Sequence, residues 1–221
     1  MTESNTIKSS KETKPEPLHP EEVVTSVYLI RHGHTEATEQ GMLYTDPEVA
    51  LTESGRLQAA KAGQWLMMVK PEVLLSSTSK RVWASAEIIG EAIGLPPNKV
   101  HDLNEWNVGS WDGRKYIDIK ATDPELYKAW SLDPVKNRPP GGESIADVVE
   151  RVGTRLEELI AEHPGKKIAL VSHAGIIRAL IVRALGMPVE NFWRVNIPTG
   201  SITKIDFSAN FATMHMMAIR P

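Results

Sequence analysis

Two short apolar runs, each ending at a histidine, constrain this chain more than anything else in it. Val27-Tyr28-Leu29-Ile30 leads into Arg31-His32-Gly33, and Ile168-Ala169-Leu170-Val171 leads into Ser172-His173-Ala174-Gly175. A run with no polar position cannot turn one face to water, so each reads as a strand covered on both faces. Such strands belong to parallel sheets flanked by helices, where chemistry collects beyond the carboxyl ends of the strands. His32 and His173 are therefore expected to meet at one end of one sheet.

The remaining pattern supplies the helices. The first strand reads as Val23–Ile30. Thr52 reads as an N-cap, with Glu53 at the positive end of a helix to about Met68. Glu72–Ser77 is a second apolar strand. Val82, Ala86, Ile89 and Ile93 form a helical stripe, stopped by Gly94 and Pro96-Pro97. A short strand is expected at Val100–Leu103. Residues 110–142 are richer in Trp, Pro, Gly and charge and read as an excursion over the sheet, with short helices around Ile117 and Leu126. Ile145, Val148, Val149, Val152, Leu156, Leu159 and Ile160 mark the apolar face of a long helix. Strand 167–172, helix 176–185 and a hairpin of Gly200–Phe207 with Phe211–Ile219 complete the order. It implies an α/β fold, a three-layer α/β/α sandwich with a mostly parallel central sheet, as a single domain over 23–221.

A length of 221 residues suits one well-filled core. The formal charge of −3 gives no reason to expect nucleic acid or an acidic membrane as a partner. No segment has the apolar length to span a bilayer. The absence of cysteine excludes a disulfide scaffold, a thiolate metal site and a thiol nucleophile. Residues 1–22 are too poor in apolar side chains to offset their ordering entropy and lack the apolar core of a secretory signal. A disordered tail and a cytoplasmic location are expected, and a homodimer is left open.

Arg31-His32-Gly33, Leu51-Thr52-Glu53-Ser54-Gly55, Ser76-Ser77-Thr78-Ser79-Lys80-Arg81, Leu103-Asn104-Glu105, Gly109-Ser110-Trp111-Asp112-Gly113, Pro140-Gly141-Gly142-Glu143-Ser144 and Ser172-His173 occur in that order. This set resembles the histidine phosphatase superfamily, which includes the phosphoglycerate mutases, across roughly residues 27–185. The resemblance implies a phosphoglycerate mutase-like fold and a phosphohistidine intermediate on His32. It makes Glu105 the general acid and base, gives Arg31, Arg81 and His173 to the phosphate cradle, and adds contacts from Thr35, Thr38 and the Ala174 backbone. Thr38 stands where the family usually has Asn, His34 where it has Gln or Glu, and Ala174 where it has Gly.

Elementary chemistry agrees with these roles. Guanidinium groups fork onto phosphate oxygens, and Arg81 falls in the first turn of a helix whose free N–H groups attract the same anion. A carboxyl beside an apolar wall such as Trp106 has its pKa raised toward acid catalysis. His32-x-His34 as a metal pair is disfavoured by the neighbouring arginines, so no metal and no cofactor are expected. Trp83, Trp111, Trp130 and Trp193 read as packing residues, and Lys115, Lys120, Lys128, Lys136 and Arg138 as a solvated face. His19, His101, His163 and His215 read as structural or exposed.

Glu105 is followed by Trp106-Asn107-Val108-Gly109, whereas mutases of the resembled family usually continue Arg-x-Tyr-Gly, and their paired arginines are missing between 114 and 140. Hydrolysis of a small phosphorylated metabolite is favoured over mutase-type transfer and over a silent binding module on the same fold.

Overall fold

The computed structural model describes residues 23–40, 42–46 and 48–221, so the expected tail over 1–22 lies outside the described residues. The elements are β1 (Thr25–Arg31), α1 (Glu36–Glu39), β2 (Met42–Leu43), α2 (Glu53–Val69), β3 (Val73–Ser76), α3 (Lys80–Ile93) and β4 (Asn98–Lys99). They continue with β5 (Arg114–Lys115), α4 (Tyr116–Thr122), α5 (Pro124–Leu132), α6 (Ile145–Glu162), β6 (Lys167–Ser172), α7 (Ala174–Ala184), β7 (Ile202–Phe207) and β8 (Ala212–Ile219). The central sheet runs β4-β3-β6-β1-β7-β8. Its first four strands are mutually parallel, β7 is antiparallel to β1, and β8 to β7. β2 and β5 pair separately.

The unbroken apolar runs are explained by cover on both faces. Val27, Leu29, Ile168 and Leu170 pack in one cluster with Val148, Val152 and Leu156 of α6 and Ile177 and Leu180 of α7. Their neighbours Tyr28, Ile30, Ala169 and Val171 pack in a second cluster with Ala62 and Leu66 of α2 and Val82, Ala86 and Ile89 of α3. Burying one such aliphatic side chain is worth about 1.5–3 kcal/mol. A one-residue slip of β1 would exchange the two sets between layers of different shape, so packing pins the register. That register pairs Arg31 with Ser172 and brings the next residues, His32 and His173, side by side.

The helix ends follow their local chemistry. Thr52 Oγ1 accepts the Gly55 N–H at 3.2 Å, as an N-cap should. Gly94 ends α3 at φ 73°, a left-handed position that glycine adopts without steric cost. Ser144 and Asp147 form a reciprocal capping box at the start of α6.

Three expectations are corrected. β1 begins at Thr25, because Val23 is 63% exposed and gains nothing from the sheet. The strand expected at Val100–Leu103 is a single turn of 3₁₀ helix at His101–Leu103, and only Asn98 and Lys99 pair with β3. There Leu103 is fully buried and its carbonyl accepts from Ser172 Oγ at 2.9 Å, which turns the chain back across the strand ends. α7 begins at Ala174 rather than 176, with His173 as its N-cap. Among the described residues no helix is long and apolar enough to cross a membrane.

Candidate active site

At the carboxyl ends of β1 and β6 the rings of His32 and His173 lie 5.4 Å apart at 70°, both buried. His32 Nδ1 is 2.7 Å from Gly33 O. A carbonyl only accepts, so Nδ1 carries the proton and Nε2 keeps its lone pair. Burial, then the charges of Arg31 and Arg81, hold this imidazole well below its ordinary pKa. Gly33 is required by a close crossing, since a Cβ there would collide with the Gly55 carbonyl at the start of α2. The Gly33 N–H is held by Ser85 Oγ at 3.2 Å.

His173 takes the opposite tautomer. Arg81 Nη2 donates to its Nδ1 at 3.2 Å, which leaves the proton on Nε2, 2.9 Å from Ser77 Oγ. Ser77 in turn donates to Asn104 Oδ1 at 2.7 Å, and Asn104 Oδ1 also receives the Thr78 N–H at 2.9 Å. Burial and then Arg81 push His173 well below the ordinary histidine pKa. The unfolded chain therefore takes up these two protons first, so both groups withdraw stability as pH falls below about 6.5. Histidine-selective ¹⁵N NMR at pH 6 should show both rings neutral, His32 as the Nδ1–H tautomer and His173 as the Nε2–H tautomer. Two imidazolium signals, or two matching tautomers, would contradict this hydrogen-bond scheme.

Two guanidinium groups face this pair. Arg31 Nη1 donates to Ile197 O at 2.7 Å, and the fully buried Arg81 donates from Nη1 to Asp46 O at 2.7 Å. The Arg81 Cζ sits 4.6 Å from the centre of the Tyr44 ring. Among the described residues the arginine ion pairs involve Arg114, Arg138, Arg151, Arg155 and Arg183, not these two. Burial lowers both guanidinium pKa values from their ordinary level. Guanidinium charges buried without an ion-paired carboxylate are expensive, and a bound anion offsets that cost. Arg81 lies in the first turn of α3, whose N–H groups favour the same ligand.

Glu105 closes the site from the opposite side. Its Oε1 accepts the Trp106 N–H at 3.0 Å, and its Oε2 is 3.9 Å from His173 Nδ1. Burial raises its carboxyl above the ordinary value, opposed by the Trp106 N–H and by Arg81, Arg31 and Arg178. The expected wall is present, because buried Trp106 lines the cavity and is held by Glu143 O at 2.7 Å from Nε1. Gly175 makes room for the acid, since a Cβ there would lie 2.6 Å from Glu105 Oε1.

Arg31, His32, Glu105 and Ala174 line a cavity of about 150 Å³. Arg81 and His173 are fully buried next to it. Thr35 and Thr38 are not among the residues that line the cavity. Their hydroxyls are 2.9 Å from each other, and 3.0 and 2.8 Å from the Tyr44 hydroxyl. It is Tyr44 that lines the cavity. Nothing in the spacing of Tyr44 announces this role, because it comes from a loop. Arg178 also lines the cavity, outside the motif set; its one signal in the sequence is that it stands four residues after Ala174 on the same helical face. Trp193 packs against Trp106, Trp130 and Phe192 and, 44% exposed, also stands at the cavity wall, whereas Trp111 and Trp130 are buried. Arg138 pairs with Asp147 at 3.0 Å. His34 Nδ1 is 3.0 Å from Thr52 Oγ1, which ties the His32 loop to the cap of α2.

Comparison with known proteins identifies the family. The family model of the histidine phosphatase superfamily, branch 1, matches residues 27–220. Adenosylcobalamin/alpha-ribazole phosphatase of Escherichia coli K12 is 31% identical over 194 residues, 88% of this chain and 96% of that protein. Glucosyl-3-phosphoglycerate phosphatase of Mycolicibacterium vanbaalenii is 32% identical over 180 residues, 76% of this chain and 78% of the relative. The crystal structure of alpha-ribazole phosphatase from Shigella flexneri superposes with a TM-score of 0.81 at 31% identity, covering 88% of this chain and 96% of that one. A mycobacterial glucosyl-3-phosphoglycerate phosphatase in complex with VO3 superposes with a TM-score of 0.79 at 29% identity, over 87% and 98% of the two chains. The chain belongs to the histidine phosphatase superfamily, branch 1.

Proposed function

We propose that this protein hydrolyses small phosphomonoesters without a metal ion, through a phosphohistidine on His32. The observation that carries the reading is the His32 ring, whose Nδ1 is committed to Gly33 O while burial keeps Nε2 unprotonated. Nε2 attacks phosphorus, the ester oxygen leaves, and protonated Glu105 supplies its proton. In the second step the Glu105 carboxylate takes a proton from water. The resulting oxygen nucleophile attacks the phosphohistidine and releases phosphate, which restores both groups.

Phosphate-monoester hydrolysis needs accelerations of up to about 10²¹-fold, and most of that must come from positioning and charge. Arg31 and Arg81 supply two guanidinium forks, His173 holds the Arg81 fork in place through Nδ1, and the α7 N-terminus at Ala174 supplies a further donor. The Tyr44 hydroxyl, held by Thr35 and Thr38, is a third kind of donor. These cations take the electrostatic part that a divalent ion has elsewhere. Hydrolysis is favoured over mutase transfer because Arg114 and Arg138, the arginines of the excursion, are paired with Asp123 and Asp147. The phosphatase names of the relatives support the same choice.

Phosphate release from a panel of small phosphomonoesters tests the reading. Turnover should continue unchanged after exhaustive chelation. A loss restored by a divalent ion would overturn metal independence. Phosphoryl migration without release would favour a mutase, and inertness towards every ester a binding module.

A further inference from the structure

The phosphoryl chemistry leaves one cavity guanidinium unused. Arg178 donates from Nε to Val195 O at 2.7 Å, and its Cζ lies 5.3 Å from the Trp193 ring centre and 5.9 Å from that of Phe192. These contacts hold the stem by Nε and leave the two terminal nitrogens without a hydrogen bond among the described residues, on a side chain that lines the cavity together with Glu105 and Tyr116. Among the described residues no carboxylate forms an ion pair with it, the arginine pairs being those of Arg114, Arg138, Arg151, Arg155 and Arg183. A guanidinium fixed at Nε presents a planar fork whose geometry is set before any ligand arrives.

We propose that Arg178 binds a carboxylate on the leaving-group side of the substrate and makes the protein select carboxylate-bearing phosphomonoesters over neutral ones. The proposal rests on the hydrolytic reading. Charge balance carries it. A phosphoryl dianion matches Arg31 and Arg81, and Glu105 must be protonated when the first step begins, so among the described residues that line the cavity Arg178 is the positive charge left over. A carboxylate supplies one negative charge and the two oxygens that suit a bidentate fork. A second phosphate, at about −1.5 to −2, would overshoot. Binding there also shields Glu105 from Arg178, whose charge favours ionisation of that carboxyl, and so keeps the acid protonated until it is used.

The test uses the full-length protein with nitrophenyl phosphate as reporter substrate. 3-Phosphoglycerate and glycerol 1-phosphate, which differ at a carboxylate against a hydroxymethyl, serve as competing ligands. The wild type should be inhibited at a concentration about 10-fold or more lower by 3-phosphoglycerate. Arg178→Gln should reduce that preference about 10–100-fold, the range for a lost hydrogen bond to a charged group. Arg178→Lys should keep part of it, because the charge survives and the fork does not. Equal inhibition of the wild type by the two ligands overturns the proposal. So does a preference that survives Arg178→Gln, which would mean that Arg178 merely packs against Val195 and Trp193. Failure of the reporter reaction itself would instead remove the hydrolytic reading.

Discussion

His32→Ala is expected to lower kcat by about 10⁴-fold or more while leaving the fold intact, since it removes the atom to which the phosphoryl group is transferred. The side chain's hydrogen bond is local, to the adjacent Gly33 carbonyl, so the variant gives up that bond and the edge contact with the His173 ring but no strand or helix pairing. The wild type, quenched during turnover, should carry phosphate bound to protein that is lost in acid and retained in base, the signature of a phosphoramidate. The Ala variant should carry none. Near-normal turnover by the variant, or a phosphoenzyme with the reverse lability, would remove His32 as nucleophile. The effect should exceed that of neutralising either arginine, because a weakened cradle still holds a reacting pair.

Glu105→Gln comes next in expected size. The amide keeps the shape and the Trp106 N–H contact but cannot deliver a proton, so kcat should fall about 10²–10⁴-fold on alkyl phosphates. The loss should shrink for nitrophenyl phosphate, whose leaving group needs little protonation. Equal losses on good and poor leaving groups would mean that Glu105 only positions the substrate. The pH profile provides a separate check. Burial raises the carboxyl above its ordinary value, so its protonated form persists to a higher pH than a solvated glutamate would allow. The alkaline limb of kcat/KM should follow that ionisation and disappear in the Gln variant. The raised pKa also has a stability cost of definite sign. The unfolded carboxyl ionises first, so this group contributes stability below about pH 4.5 and withdraws it as pH rises through the folded value.

The two apolar runs were a sufficient guide to the central strands, because a strand buried on both faces has no other way to be written. Val27 and Leu29 belong to one cluster and Tyr28 and Ile30 to the other, as cover on both faces requires. Thr52 and Gly94 were legible for a similar reason, since a cap is decided within about four residues of chain. Val100–Leu103 was misread because its apolar ends suggest a strand. In the fold Leu103 is instead a plug, and its carbonyl is claimed by Ser172 from another strand.

The sequence by itself determined which side chains stand at the strand ends, His32 and His173 with Arg31 beside them, because strand period and register are local properties reinforced by packing. Only the tertiary structure decided what those side chains have to work with. The Thr35 and Thr38 hydroxyls turned to Tyr44, the tautomer of His173 set by Arg81 and the Arg178 side chain held by Val195 at the cavity each depend on a partner outside the residue's own element. A hydrogen bond between remote segments is set by distances of a few tenths of an ångström that only the assembled packing defines, and no spacing along the chain encodes them.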